Sequence, residues 1–142
     1  MKIVSAGLAV IIFFSCRPLV TTFDDIQDAV YFTASSTSEE PQNFESLKVM
    51  TWNIRFGAGR IPFFGDSCGD RALMTEAETI EYLQAITNYI DTMVIKPDIL
   101  LLQEVDISSK RSAYVNQLQW LLNNTHFNYG AYASMWNAEI IP

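Results

Sequence analysis

Four consecutive apolar residues, Ile99-Leu100-Leu101-Leu102, give way at once to Gln103, Glu104 and, after Val105, Asp106. A short apolar run without alternation describes a strand buried on both faces, as strands of parallel sheets are. About fifty residues earlier, LKVMTWNIR (47–55) has the apolar, β-branched and aromatic content of another strand. A helix lies between them. Thr75-Glu76-Ala77-Glu78 has the Thr-x-x-Glu spacing of a capping box. Ile80, Leu83, Ile86 (or Thr87), Ile90 and Val94 then recur at intervals of three and four, so one helix face is apolar. Lys96-Pro97 ends the helix. The crossover is longer than a dozen residues, which predicts that strands 47–54 and 98–105 are parallel neighbours.

The pattern continues. A second helix is predicted over about 112–123, with Val115, Leu118 and Leu122 inward. A third strand follows over 128–135, with Tyr129, Ala131, Ala133 and Met135 on one face. This alternation indicates an α/β fold. Length and composition agree: 142 residues, 49% hydrophobic and 13% aromatic, suit one modest globular domain. The net charge is −7, unevenly spread. Residues 17–46 carry one Arg against six acids, whereas residues 47–142 carry seven basic and ten acidic residues. The domain is thus mildly acidic, without the basic stripe of a nucleic-acid footprint.

The amino-terminal segment reads as an address. Met1-Lys2 precedes an apolar run, IVSAGLAVIIFFS (3–15), too short for a comfortable membrane span and suited to a signal-peptide core. Its ending, Phe13-Phe14-Ser15-Cys16, resembles a bacterial lipobox, although Phe13 sits where that pattern prefers Leu. The expectation is a leader over 1–16, Cys16 lipidated, and a chain exported and anchored to the cell envelope. An ordinary secretory signal and an uncleaved anchor are the alternatives. Residues 17–46 are acidic and, in their second half, rich in Ser, Thr, Glu, Pro and Asn, which is tether composition. Lipidation of Cys16 leaves Cys68 unpaired, a loop or buried thiol whose neighbours argue no reactive role.

Sites in α/β sheets gather where strands end. The first strand ends in Thr51-Trp52-Asn53 and the second in Gln103-Glu104. Strand alternation places Val49, Thr51 and Asn53 on one face, and Leu100, Leu102 and Glu104 on one face of the neighbour. An amide oxygen and a carboxylate converging there suit Mg²⁺, with Mn²⁺ as a substitute, better than Zn²⁺. Solvation or a salt bridge is the competing reading for Glu104, and a turn cap for Asn53. Arg55 and Arg111 are candidate phosphate contacts, and Asp106 a candidate to orient a neighbouring group; surface solvation or a salt bridge is the competing reading for each arginine, as in an Asp106–Arg111 pair.

LKVMTWNIRFG followed by PDILLLQEVD resembles the opening of the endonuclease/exonuclease/phosphatase superfamily of metal-dependent phosphoesterases. The resemblance covers roughly residues 47–142. It implies that Asn53 and Glu104 bind metal at the ends of two strands in a two-sheet α/β sandwich flanked by helices. It also implies hydrolysis of a phosphoester or phosphodiester. The later elements of that family, a catalytic histidine, paired acidic residues and an Asn/Asp pair, are not found in this chain. No catalytic residue is therefore expected within it, and the expectation is an amino-terminal part of a longer enzyme, inactive alone. The one histidine, His126, is expected to be polar surface. Asn123-Asn124-Thr125 is a sequon only on paper, and Phe127, Tyr129, Tyr132 and Trp136 are expected in packing. A non-catalytic cell-surface lipoprotein on the same fold is the competing function.

Overall fold

The structure, a computed structural model, describes Ile26 and residues 28–38 and 45–135. The leader with Cys16, the chain before Ile26, and Trp136 lie outside the described residues. Two units divide the chain. In the unit formed by Met1–Asp28 and Ala133–Pro142, the described residues Ile26, Asp28 and 133–135 are exposed. Everything below concerns the other unit, Ala29–Tyr132. Among the described residues, no helix is long and apolar enough to cross a membrane.

Ala29–Tyr132 is mixed α/β, with two small sheets and two helices among the described residues. The order is β1 (Val30–Thr33), β2 (Val49–Asn53), α1 (Glu76–Thr92), β3 (Ile99–Gln103), α2 (Gln117–Asn123) and β4 (Tyr129–Tyr132). Strands β2 and β3 are parallel, with Val49 opposite Ile99 and Asn53 opposite Gln103. Asp98 closes the start of this pair, its carboxylate accepting the Lys48 backbone N–H at 2.8 Å.

Helix α1 begins at the expected capping box. Thr75 Oγ1 accepts the Glu78 N–H at 3.2 Å, and Glu78 Oε2 accepts the Thr75 N–H at 2.8 Å. Arg71 donates to both Glu78 oxygens, at 3.1 and 2.9 Å, which ties the preceding loop to the cap. The buried stripe is Thr79, Leu83, Thr87 and Ile90. Val94, expected on that stripe, is fully exposed. The helix stops at Thr92 with Met93 already extended, since the β-branched pair Val94-Ile95 and the approaching Pro97 disfavour another turn.

The core follows from these faces. Trp52 and Leu102 point inward and join Ile54, Leu83 and Leu121, with Ile80, Ile86, Val105, Val115 and Trp120 around them. The long loop between β2 and α1 has its own small core of Phe56, Ala58, Ile61, Phe63 and Met74, covered by Tyr82. Helix α2 is shorter than expected, because Lys110–Ser112 forms a separate 3₁₀ turn. Its buried residues are Gln117, Leu121 and Leu122, so a glutamine occupies part of the inner side.

The stretch expected as a tether contains β1. Val30–Thr33 pairs antiparallel with β4, Val30 opposite Tyr132 and Thr33 opposite Tyr129. The Ser-rich continuation is held by polar side chains rather than left in solvent. Asn123 Oδ1 accepts the Ser35 N–H at 2.8 Å, and Asn128 Oδ1 accepts the Ser38 N–H at 2.8 Å. Gln119 Nε2 donates to the Thr33 carbonyl at 3.0 Å. The Asn123 amide of the sequon is thus a structural clamp.

Candidate functional site

The carboxyl ends of β2 and β3 open onto a recess of about 610 Å³, exposed to solvent and lined by Asn53, Arg55, Phe56, Phe63, Gly65, Asp66 and Glu104. That volume falls within the roughly 300–1,000 Å³ of small-molecule sites. At its centre Asn53 Nδ2 donates to Glu104 Oε1 at 2.8 Å. Asn53 Oδ1 accepts the Arg55 backbone N–H, also at 2.8 Å. The second oxygen of Glu104 has no partner among the described residues.

Asn53 and Glu104 meet for a different reason than strand alternation suggests. The register places Leu101 and Gln103, not Leu102 and Glu104, on the face of Thr51 and Asn53. Gln103 Nε2 confirms this by donating to Thr51 Oγ1 at 2.9 Å. Alternation holds only while the backbone stays extended, and β3 ends at Gln103. Glu104 takes φ +55°, a left-handed conformation that swings its side chain towards Asn53. The facing turn is left-handed too, at Arg55 (φ +49°), Phe56 (φ +43°) and Gly57 (φ +67°). The two turns are joined where the Phe56 N–H donates to the Glu104 carbonyl at 2.7 Å.

Arg55 reaches across the recess. Its guanidinium donates to the Gly59 carbonyl at 3.0 Å and pairs with Asp66, whose carboxylate also accepts the Phe63 N–H at 2.8 Å. With Arg55 and Asp66 paired, Glu104 leaves the lining with one unmatched negative charge.

Asp106 and Arg111 are held together elsewhere. Arg111 grips the Asp106 carboxylate with two parallel bonds, Nε at 2.8 Å and Nη2 at 2.7 Å. Ser112 Oγ adds a third at 2.8 Å. The Arg111 guanidinium stacks on Phe56, 3.9 Å from the ring centre, and is not part of the lining. Of the five residues selected from the sequence, the structure therefore gathers Asn53, Arg55 and Glu104 in one recess and engages Asp106 and Arg111 with each other.

No family model, curated protein or solved structure matches the chain.

The donor set fits a hard, well-hydrated cation. Among the described residues no three His, Cys, Asp or Glu side chains gather into a cage. One free carboxylate oxygen in an open recess suits Mg²⁺, which keeps several waters and accepts one or two protein oxygens. Asn53 turns its NH₂ group to Glu104, so it orients that carboxylate. Its own oxygen, already holding the Arg55 N–H, has a second lone pair to offer.

Asp66, Phe63 and Gly65 were not legible as site residues, since nothing in FFGDSCGD beyond its turn chemistry distinguishes them. Cys68 lies in that same loop as an exposed free thiol. His126, expected at the polar surface, is instead half-buried, with Nε2 2.9 Å from the Pro97 carbonyl. Pro97 lies at the amino end of β3, so His126 is away from the recess.

Proposed function

We propose that the chain contributes the first corner of a Mg²⁺-dependent phosphoesterase site of the endonuclease/exonuclease/phosphatase kind. The observation that carries the reading is the Asn53–Glu104 hydrogen bond at the ends of adjacent parallel strands, inside a recess that also holds Arg55. Glu104 binds the ion through its free oxygen, and Asn53 keeps that oxygen aimed. A bound Mg²⁺ supplies Lewis-acid polarisation of a phosphoryl oxygen. Arg55, with donors beyond those given to Gly59 and Asp66, contacts the phosphate. The substrate class is a phosphoester or phosphodiester.

The same reading includes the second sheet of a sandwich. The outer face of β2 and β3 carries Val49 (58% exposed), Ile99 (39%) and Leu101 (52%). A parallel pair is normally covered on both faces, and α1 covers only one. Export and a lipid anchor at Cys16 belong to this reading as well, placing the activity at the cell envelope.

Mn²⁺ titration followed by electron paramagnetic resonance tests the site. The full chain is expected to bind Mn²⁺, and Glu104→Gln is expected to bind it at least tenfold more weakly, a span consistent with about 1.4 kcal/mol or more. Any Mg²⁺-stimulated release of nitrophenol from bis-p-nitrophenyl phosphate must disappear in the same variant. Equal Mn²⁺ binding by parent and variant sinks the reading and leaves a binding scaffold.

A further inference from the structure

We infer that Gln117 is the positioning residue that sets Glu104 against Asn53. Gln117 opens α2, and its side chain is fully buried. Its Oε1 accepts the Asp106 backbone N–H at 3.0 Å, while its Nε2 donates to the Phe56 carbonyl at 2.7 Å. Its own backbone N–H donates to the Asp106 carbonyl at 3.1 Å. Phe56 in turn donates to the Glu104 carbonyl. These bonds link Glu104 to Phe56, Phe56 to Gln117 and Gln117 to Asp106, and the backbone through Val105 closes the loop. It clamps the chain just after Glu104 and just after Arg55.

The clamp answers a specific physical need. Left-handed backbone is strained at a residue with a side chain, and three such residues border the recess. If Glu104 relaxed to extended backbone, β3 would continue and alternation would turn Glu104 to the α1-covered face of Leu100 and Leu102, away from Asn53. The buried amide of Gln117 resists this, because moving either turn would leave a buried donor or acceptor unpaired. Room for the amide comes from Gly57. A Cβ there would lie 3.1 Å from Gln117 Nε2, and its φ of +67° favours glycine independently. Arg111 and Ser112 hold the Asp106 side chain but make no bond to its backbone, so they do not substitute for Gln117.

The ion-binding arm of the test rests on the proposed reading of Glu104; the other arms do not. Gln117→Met keeps length and volume and removes both polar groups. In the metal-free full chain, the Asn53 side-chain amide protons are followed by nuclear magnetic resonance. They are expected to move in Gln117→Met towards the values of a free asparagine. Mn²⁺ affinity is expected to fall about tenfold to a hundredfold, as for other residues that orient a ligand from behind. Ile90→Ala, a core truncation towards the far end of α1, controls for lost stability and is expected to leave both readouts at parent values. Parent-like Asn53 amide signals in a folded Gln117→Met chain overturn the inference. Should Gln117→Met not fold, hydrogen exchange in the unaltered chain decides: slow exchange at the Asp106 and Phe56 amides supports the clamp, and open-chain rates overturn it. If Glu104→Gln leaves Mn²⁺ binding intact, the ion reading fails, and the Asn53 signals still judge Gln117.

Discussion

Glu104 and Asp106 stand two residues apart after the same strand, and their surroundings are opposite. Asp106 is 7% exposed, and both its oxygens are filled, by the fork of Arg111 and the hydroxyl of Ser112. Glu104 is exposed and takes a single hydrogen bond from a neutral amide. A carboxylate removed from water must be fully paired, and once paired it has nothing left to offer a ligand. A carboxylate oriented by a neutral donor keeps its charge and a free oxygen. The contrast teaches that availability for chemistry is decided by how many lone pairs the fold leaves unclaimed, since residue type and sequence neighbourhood are nearly the same.

The largest expected effect tests the buried side of this contrast. Asp106→Ala strands the Arg111 guanidinium and the Ser112 hydroxyl, and should destabilise the domain by about 3 kcal/mol in a denaturant titration. Arg111 is partly exposed, which argues for the low end of the range for buried pairs. Arg111→Ala in the same chain should then add far less than it does alone, with a coupling of about 1 kcal/mol or more. Arg111→Lys should recover little of the loss, since an ammonium forms no fork and stacks poorly on Phe56. If Asp106→Ala costs no more than Glu104→Ala, the distinction between the two acids is broken.

The two acids also mark where sequence reading succeeds and stops. The strand–helix–strand unit was legible because its signals are local: an unbroken apolar run, a capping box, a helical stripe. The meeting of Asn53 and Glu104 was expected on strand alternation, which the register contradicts. The true cause, a left-handed Glu104, carries no sequence signal, because glutamate has no preference for that conformation. It is imposed by partners far along the chain, Phe56 and Gln117. Strand β1 was hidden for a related reason. The apolar patch Val30-Tyr31-Phe32 inside a stretch of tether composition is compatible with packing on the domain or with none, until β4, about a hundred residues later, supplies the other half of the ladder. The loop core of Phe56, Ala58, Ile61, Phe63 and Met74 has neither helical nor strand spacing, so Phe63 and Asp66 could not be placed at the recess.

A third carboxylate sharpens the comparison at intermediate size. Glu78 resembles Asp106 in being claimed by an arginine, but it lies at the surface and also closes the helix cap. The Arg71 hydrogen bonds, and then the Thr75 backbone and hydroxyl, hold its carboxyl down at about 2, against an ordinary value of 4.5. Asp98 is lowered as well, chiefly by the Lys48 backbone N–H and then by the Lys48 charge. Because both folded values lie below the unfolded ones, each contributes stability at neutral pH that is lost in acid; for Glu78 it is present above about pH 4.5 and fades as pH falls towards 2. Thermal unfolding should show that acid limb in the parent and a flatter one in Glu78→Gln. Thr75→Ala, which removes the cap hydroxyl, should cost about 1 kcal/mol at neutral pH. An acid limb unchanged in Glu78→Gln would assign it to other carboxylates.

The smallest expected effect on stability belongs to Glu104 itself. Glu104→Gln retains an oxygen for the Asn53 NH₂ group, the same length, and the same backbone bond to Phe56. What it removes is a negative charge that no cation in the recess balances, since Arg55 is already engaged by Asp66. The variant should therefore lie within about 0.5 kcal/mol of the parent in denaturant, as surface substitutions do. Its other consequence should be large, because a neutral amide oxygen is a much poorer ligand for Mn²⁺ than a carboxylate. A residue kept in a strained conformation, costing stability rather than adding to it, is expected to have a task other than folding. Loss of stability by several kcal/mol in Glu104→Gln, matching Asp106→Ala, would show that Glu104 is a structural anchor and that the open oxygen is incidental.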